Sequence, residues 1–101
     1  MIEIEIKQSA YKHGCTYDDI INCYRFPIIT KILVADEIKY LYIGLDMKGR
    51  LIELLVNHNA VSIIFHAMKL RKAFEKFIRW VERRKRNERN QRRGYYELDC
   101  K

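Results

Sequence analysis

The sequence of 101 residues predicts a single α+β domain. After a short strand pattern at residues 2–6, helical signals follow, strand signals fill the middle of the chain, and a helical pattern returns after residue 66. Hydrophobic residues make up 49% of the chain, which is enough for a packed core. Together these features favour helices packed against an antiparallel sheet.

The N-terminal quarter predicts a short strand followed by two helices. Residues 2–6 alternate Ile and Glu, as in a strand with one face exposed to water. A short helix over residues 7–13 would end at Gly14, which tolerates the left-handed C-cap conformation. Thr16 would cap the second helix, and Asp19 three residues later completes a capping box.

After Pro27 the period changes from that of a helix to that of a strand. Four strands are predicted, at residues 28–35, 39–45, 50–56 and 61–66. Their connections are too short for a parallel crossover. We therefore expect a four-stranded antiparallel sheet, connected as a meander.

A long C-terminal helix is predicted from Ala67 onwards. Its apolar stripe, which can cover one face of the sheet, consists of Leu70, Ala73, Phe74, Phe77 and Val81. Residues 82–93 contain no hydrophobic side chain. We therefore predict a compact α+β domain over residues 1–81 and a basic helical extension with a short tail over residues 82–101.

The positive charge of the chain is concentrated in this C-terminal segment. The formal net charge is +7, yet residues 69–93 alone carry twelve Lys or Arg and three Glu, an excess of nine. Such a segment indicates a polyanionic partner, with RNA as the first choice. An anionic membrane, an acidic protein or a merely solvated helix with i,i+4 ion pairs are the alternatives.

Cysteine use and hydropathy indicate the compartment. The three cysteines form no Cys-x-x-Cys pair and suggest free thiols in a reducing environment. No apolar run reaches the ~20 residues of a membrane-spanning helix. We expect a cytoplasmic protein without a membrane partner; the sequence does not predict its oligomeric state.

His66 is the candidate acid–base residue, because imidazole exchanges protons near neutral pH. The cations Lys69, Arg71 and Lys72 follow it and could stabilise a phosphorane-like transition state, as in a metal-free ribonuclease. The alternative is that His66 only ties the last strand to the helix. Glu53 is a possible acid or base partner, or else an exposed residue of an alternating strand.

Further cations are candidates for positioning an RNA backbone: Arg50, Lys69, Arg79 and Arg83. The three histidines have no close ligand partners along the chain, so no metal site is expected. No glycine-rich phosphate loop is present either, and no cofactor is predicted.

Three segments resemble a family of small bacterial toxins. Tyr11–Ile20 resembles the Lys-His-Gly element, followed by a Ser/Thr and an acidic pair, that opens many BrnT-type toxins. Ile43–Glu53 is similar to the Gly-x-Asp-x-x-Gly-x-x-x-Glu hairpin of related small families, and His66–Arg71 to their His-Ala-Met-x-x-Arg junction. BrnT-type chains usually carry Ser-Ala-Arg at that junction.

The resemblance implies a fold of the RelE ribonuclease-toxin superfamily and a metal-independent endoribonuclease that cleaves RNA. It also implies a cognate antitoxin, often a ribbon-helix-helix protein. We expect His66 as the acid–base residue, with Arg71 and Lys72 stabilising charge. The alternatives are a non-catalytic nucleic-acid-binding protein and a protein-docking module that uses the basic helix.

Overall fold

The computed structural model describes residues 3–34 and 38–84, and a five-stranded sheet forms the centre of its first unit, which ends at Arg71. The strands are β1 (Ile4–Ile6), β2 (Ile29–Val34), β3 (Lys39–Leu45), β4 (Leu51–His58) and β5 (Ser62–Lys69). Their spatial order is β1-β5-β4-β3-β2. Strands β2 to β5 form the predicted antiparallel meander, whereas β1 pairs with β5 in parallel. The α+β class is confirmed, and the prediction of a purely antiparallel four-stranded sheet is wrong.

The alternating pattern of β1 explains why it joins the sheet. Ile4 pairs with Ser62 and Ile6 with Ile64, and both isoleucines pack against the core. Short connections exclude parallel pairing between consecutive strands of the meander. More than fifty residues separate β1 from β5, so these two strands can pair in parallel.

The predicted N-terminal helical segments are present. A 3-10 turn spans Gln8–Tyr11, and helix α1 spans Tyr17–Arg25. The predicted capping box is confirmed: the Asp19 amide donates to the Thr16 hydroxyl over 3.1 Å, and the Thr16 amide donates to the Asp19 carboxylate over 2.9 Å. Both acceptors satisfy amides that the first helical turn leaves unpaired.

The hydrophobic core lies between α1 and one face of the sheet. Ile20 and Cys23 of α1 are buried against Leu54 and Val56 of β4. At Gly44 the helix approaches β3 so closely that an added Cβ would lie 2.9 Å from the Cys23 sulfur. Glycine therefore allows α1 to sit on the strand.

The predicted start of the C-terminal helix at Ala67 is wrong, because Ala67 and Met68 belong to β5, which continues to Lys69. In the second unit, a 3-10 turn at Lys72–Phe74 precedes helix α2, of which residues 75–84 are described. Within this unit the Phe74 and Phe77 rings stack with centroids 6.2 Å apart. Among the described residues, no helix combines the length and hydropathy needed to cross a bilayer.

Two predictions about this unit are left as they stand. The packing of the apolar stripe on the sheet and the domain boundary after Val81 stay predictions. Most of the predicted basic extension, residues 85–101, lies outside the described residues.

Candidate functional site

A fully buried carboxylate, that of Glu53, is the centre of the candidate site. Glu53 lies in β4, with Ile43 of β3 and Met68 of β5 as its cross-strand neighbours. A carboxylate buried beside apolar side chains is costly unless donors surround it. The groups that contact Glu53 therefore account for its position.

Arg71 supplies most of these donors. Its backbone amide donates to Oε1 of Glu53 over 2.8 Å, and its Nε donates to Oε2 over 2.8 Å. Its Nη2 lies 2.6 Å from Oε2 as well. The chain is held in place here by the Leu70 amide, which donates to the Leu51 carbonyl over 3.1 Å. The turn after β5 thus brings one residue onto both carboxylate oxygens.

His66 completes the group from the neighbouring strand. Its cross-strand partner is Leu55, two residues from Glu53 on the same face of β4, so the two polar side chains are diagonal neighbours. Nε2 of His66 lies 3.1 Å from Oε2 of Glu53. The imidazole is 18% exposed, so solvent or a ligand can reach it.

The hydrogen bonds assign the proton positions of this group. Every polar atom of Arg71 that faces Glu53 is a donor, so the carboxylate acts only as an acceptor, as its ionised form does. Nε2 of His66 must then carry a hydrogen. In the neutral imidazole the lone pair is on Nδ1, the nitrogen that accepts a proton.

A second imidazole lies beside His66. The ring of His13 meets that of His66 edge to face, with centroids 5.6 Å apart and an interplanar angle of 69°. His13 is exposed and belongs to the loop before α1, where Gly14 has a positive φ of 92°. The preceding 3-10 turn is fixed to β5, because the Ser9 hydroxyl donates to the Phe65 carbonyl over 2.6 Å.

The structure brings together two of the predicted site residues, His66 and Arg71, through Glu53. Lys69 pairs with Ile52, which packs in the core on the α1 side. Because strand side chains alternate, Lys69 points to the face opposite His66. Arg50 donates from Nε to Asp46 over 2.8 Å, so it also closes the β3–β4 hairpin.

The other predicted cations belong to the second unit. Lys72 is exposed in its first turn, and Arg79 and Arg83 are exposed one helical turn apart on α2. Their roles in binding RNA or stabilising charge stay predictions.

The sequence analysis named Glu53 only as a possible partner of His66, and it did not name His13 as a candidate site residue. Glu53 had a local signal, since it is the single charged residue in the run Leu51–Val56. An acid inside such a run is either a bulge or a buried, paired charge. No local sequence signal marked His13, because its contact with His66 joins distant parts of the chain.

A third histidine forms a separate cluster with a different character. Nε2 of His58 lies 2.7 Å from the Tyr42 hydroxyl, and its Nδ1 lies 3.1 Å from the Ser62 hydroxyl. Burial lowers the pKa of His58, and burial followed by the nearby Tyr24 and Tyr40 raises the pKa of Tyr42 to about 12. Ser62 is buried as well, so these hydroxyls hold a neutral imidazole in place.

Within residues 3–34 and 38–84, no group of three or more His, Cys, Asp or Glu side chains has the geometry of a metal site. Cys15 and Cys23 are free thiols. Burial raises the pKa of the Cys23 thiol to about 12, so this sulfur is a core atom and a poor nucleophile.

Comparisons with models of protein families, with curated proteins and with solved structures found no match to this chain. The resemblance to BrnT-type toxins therefore stays a prediction that rests on the segments quoted above.

Proposed function

We propose that this chain is a metal-independent endoribonuclease of the toxin type, with His66 as its acid–base residue. The observation that carries the proposal is the hydrogen bond between the buried Glu53 carboxylate and Nε2 of a partly exposed His66. A carboxylate behind an imidazole orients the ring and stabilises the positive charge that the ring gains with a proton. This arrangement suits proton transfer and needs no metal ion.

The chemistry follows from the proton positions. Nδ1 of His66 removes the proton of a ribose 2′-hydroxyl, and the 2′-oxygen forms a bond to the adjacent phosphorus. The bond from phosphorus to the 5′-oxygen breaks, and the leaving oxygen takes a proton. The products are a 2′,3′-cyclic phosphate and a 5′-hydroxyl. The Arg71 guanidinium, which is 44% exposed, lies at the same site and favours the extra negative charge of the transition state.

The segments that resemble toxins support the same site. Tyr11–Ile20 contributes His13, Ile43–Glu53 contributes Glu53, and His66–Arg71 contributes both of its terminal residues. Segments that lie far apart in sequence thus supply one cluster of polar side chains. If the three segments serve one reaction, their polar side chains should lie at one site, as they do here.

Substrate and partners are inferred from charge. The excess of nine positive charges over residues 69–93 favours a polyanion, and Lys72, Arg79 and Arg83 are the cations proposed to hold RNA phosphates. A toxin of this kind requires a cognate antitoxin. We expect a ribbon-helix-helix protein with an acidic segment that covers the site or the basic helix.

A non-catalytic nucleic-acid-binding function is the second candidate, and an observation on α2 favours it. The Arg84 guanidinium lies over the Trp80 ring, 5.4 Å from its centroid, and Trp80 is 48% exposed. Aromatic rings beside cations are the usual means of binding single strands without sequence preference. Under this alternative the basic helix binds nucleic acid or an acidic protein, and His66 ties the strand to Glu53.

The test is incubation of purified protein with end-labelled RNA in EDTA, beside His66→Ala and the matched control His58→Gln. Wild type and His58→Gln should cleave and leave 2′,3′-cyclic phosphate ends, whereas His66→Ala should bind RNA without cleaving it. Cleavage by His66→Ala at the wild-type rate would refute the assignment. Binding without cleavage by wild type would favour the second candidate, and neither result would favour a protein partner.

A further inference from the structure

Cleavage of RNA by transphosphorylation needs two proton transfers. One group removes the proton of the 2′-hydroxyl, and another gives a proton to the departing 5′-oxygen. The attacking and leaving oxygens lie on opposite sides of the phosphorus in an in-line displacement. Two separate groups therefore serve the reaction better than one.

We propose that His13 is the general acid of this reaction and that His66 is the general base. The inference rests on the proposed endoribonuclease function and adds a second catalytic residue to it. The supporting geometry is the edge-to-face contact of the two rings, with centroids 5.6 Å apart. At this separation one bound phosphate can touch both imidazoles.

The hydrogen bonds decide which histidine takes which role. Glu53 holds a hydrogen on Nε2 of His66, so the neutral ring presents a lone pair on Nδ1 and accepts a proton. His13 is exposed, and its ring meets the His66 ring. A phosphate bound beside it would favour the protonated ring, which can then donate.

The charged groups around the pair are consistent with this division. The group facing His66 from β4 is Glu53, and Arg71 follows from the turn after β5. The Glu53 carboxylate is already bound to Arg71, so its negative charge is paired before a ligand binds. The incoming phosphate is then the charge that favours a protonated His13.

Both protons are accounted for in the complete step. The proton of the 2′-hydroxyl moves to Nδ1 of His66 as the 2′-oxygen bonds to phosphorus. The proton of the His13 imidazolium moves to the 5′-oxygen as its bond to phosphorus breaks. Exchange with water then returns both rings to their starting states.

The decisive experiment compares His13→Ala and His66→Ala on two RNAs that differ in one atom. One is ordinary RNA, and the other has sulfur in place of the bridging 5′-oxygen at the cleaved linkage. A thiolate leaves without a proton, so the second RNA needs no general acid. His58→Gln is the matched control, and thermal unfolding verifies that each variant is folded.

We expect His13→Ala to cleave ordinary RNA about 10²- to 10⁴-fold more slowly than wild type, the usual contribution of a general acid. On the sulfur RNA it should be within a few-fold of wild type, whereas His66→Ala should be slow on both.

Two results would overturn the inference and leave the proposed function standing. The first is cleavage of ordinary RNA by His13→Ala at the wild-type rate. The second is an equal loss on both RNAs, which would make His13 a positioning residue. A wild-type protein that cleaves neither RNA would overturn the proposed function and the inference together.

Discussion

The Glu53 carboxylate and the His66 imidazole meet across neighbouring strands, with Oε2 and Nε2 3.1 Å apart. One side chain is fully buried and the other is 18% exposed. The pair thus has an inner member that fixes orientation and an outer member that can meet a ligand. The Arg71 guanidinium supplies the positive charge that offsets the cost of burying the Glu53 carboxylate.

The first prediction concerns Glu53→Gln. The groups that hydrogen-bond to this carboxylate are donors, and a glutamine amide can accept at only one of its two atoms. At least one buried donor is left unpaired, which should lower the free energy of unfolding by about 1–3 kcal/mol. Urea denaturation measures the change.

The matched control for this prediction is Glu5→Gln, since Glu5 is half exposed on β1 and pairs with Lys7. Its stability should stay close to that of wild type. Equal stability of Glu53→Gln and wild type would contradict the buried acceptor that the structure shows.

A second prediction concerns the start of α1. Thr16→Ala removes the hydroxyl that accepts from the Asp19 amide, and the loss of such a cap costs about 1 kcal/mol. Thr30→Ala is the control, because Thr30 is also exposed but lies on β2 without a capping role. Chemical denaturation should separate the two variants, and equal losses would argue against the capping box.

The close approach of α1 to β3 leads to a third prediction. Gly44→Ala places a Cβ 2.9 Å from the Cys23 sulfur and 3.2 Å from the Cys23 Cα, so the helix must shift. Overpacking of this kind costs about 1–3 kcal/mol. The double variant Gly44→Ala/Cys23→Ala should lose less than the sum of the single losses. Additive losses in thermal or urea unfolding would show that the two positions do not touch.

The fourth prediction is a dependence of stability on pH through His58. Burial lowers the pKa of His58 below its ordinary value of 6.5, so the unfolded chain binds this proton more readily than the folded protein. Stability from this group is complete above about pH 6.5 and decreases as the pH falls towards the folded pKa. Urea unfolding between pH 5 and 8 should show a flatter dependence for His58→Gln than for wild type. An unchanged slope would refute the prediction.

Asp46 titrates in a lower window than His58. Burial alone would raise the pKa of Asp46, but hydrogen bonds from Arg50 and Lys48 lower it below its ordinary value of 3.8. The stability that Asp46 contributes is therefore present above pH 3.8 and is lost as the pH falls below it.

Local sequence signals predicted the elements that depend on local chemistry. The capping box at Thr16 and the meander from β2 to β5 were readable because caps and short turns leave residue-level signatures. The parallel pairing of β1 was not readable, since an Ile-Glu alternation fits any strand with one exposed face. Long-range pairing decided its place.

The junction after His66 shows tertiary structure overriding local preference. Ala67, Met68 and Lys69 favour helix, yet they extend β5. Cross-strand pairing of Ala67 with Leu54 and of Lys69 with Ile52 stabilises the strand instead. The site depends on this extension, because the strand places His66 diagonal to Glu53 and lets the chain turn at Leu70 to deliver Arg71.

The central claim is that Glu53 and His66 act as one acid–base unit on RNA. The most direct test is the single-turnover rate of RNA cleavage in EDTA for wild type, Glu53→Gln, His66→Ala and the double variant. Residues that act as a unit lose activity non-additively, so the double variant should be no slower than His66→Ala alone. Losses that simply multiply, or a His66→Ala variant that cleaves at the wild-type rate, would contradict the claim.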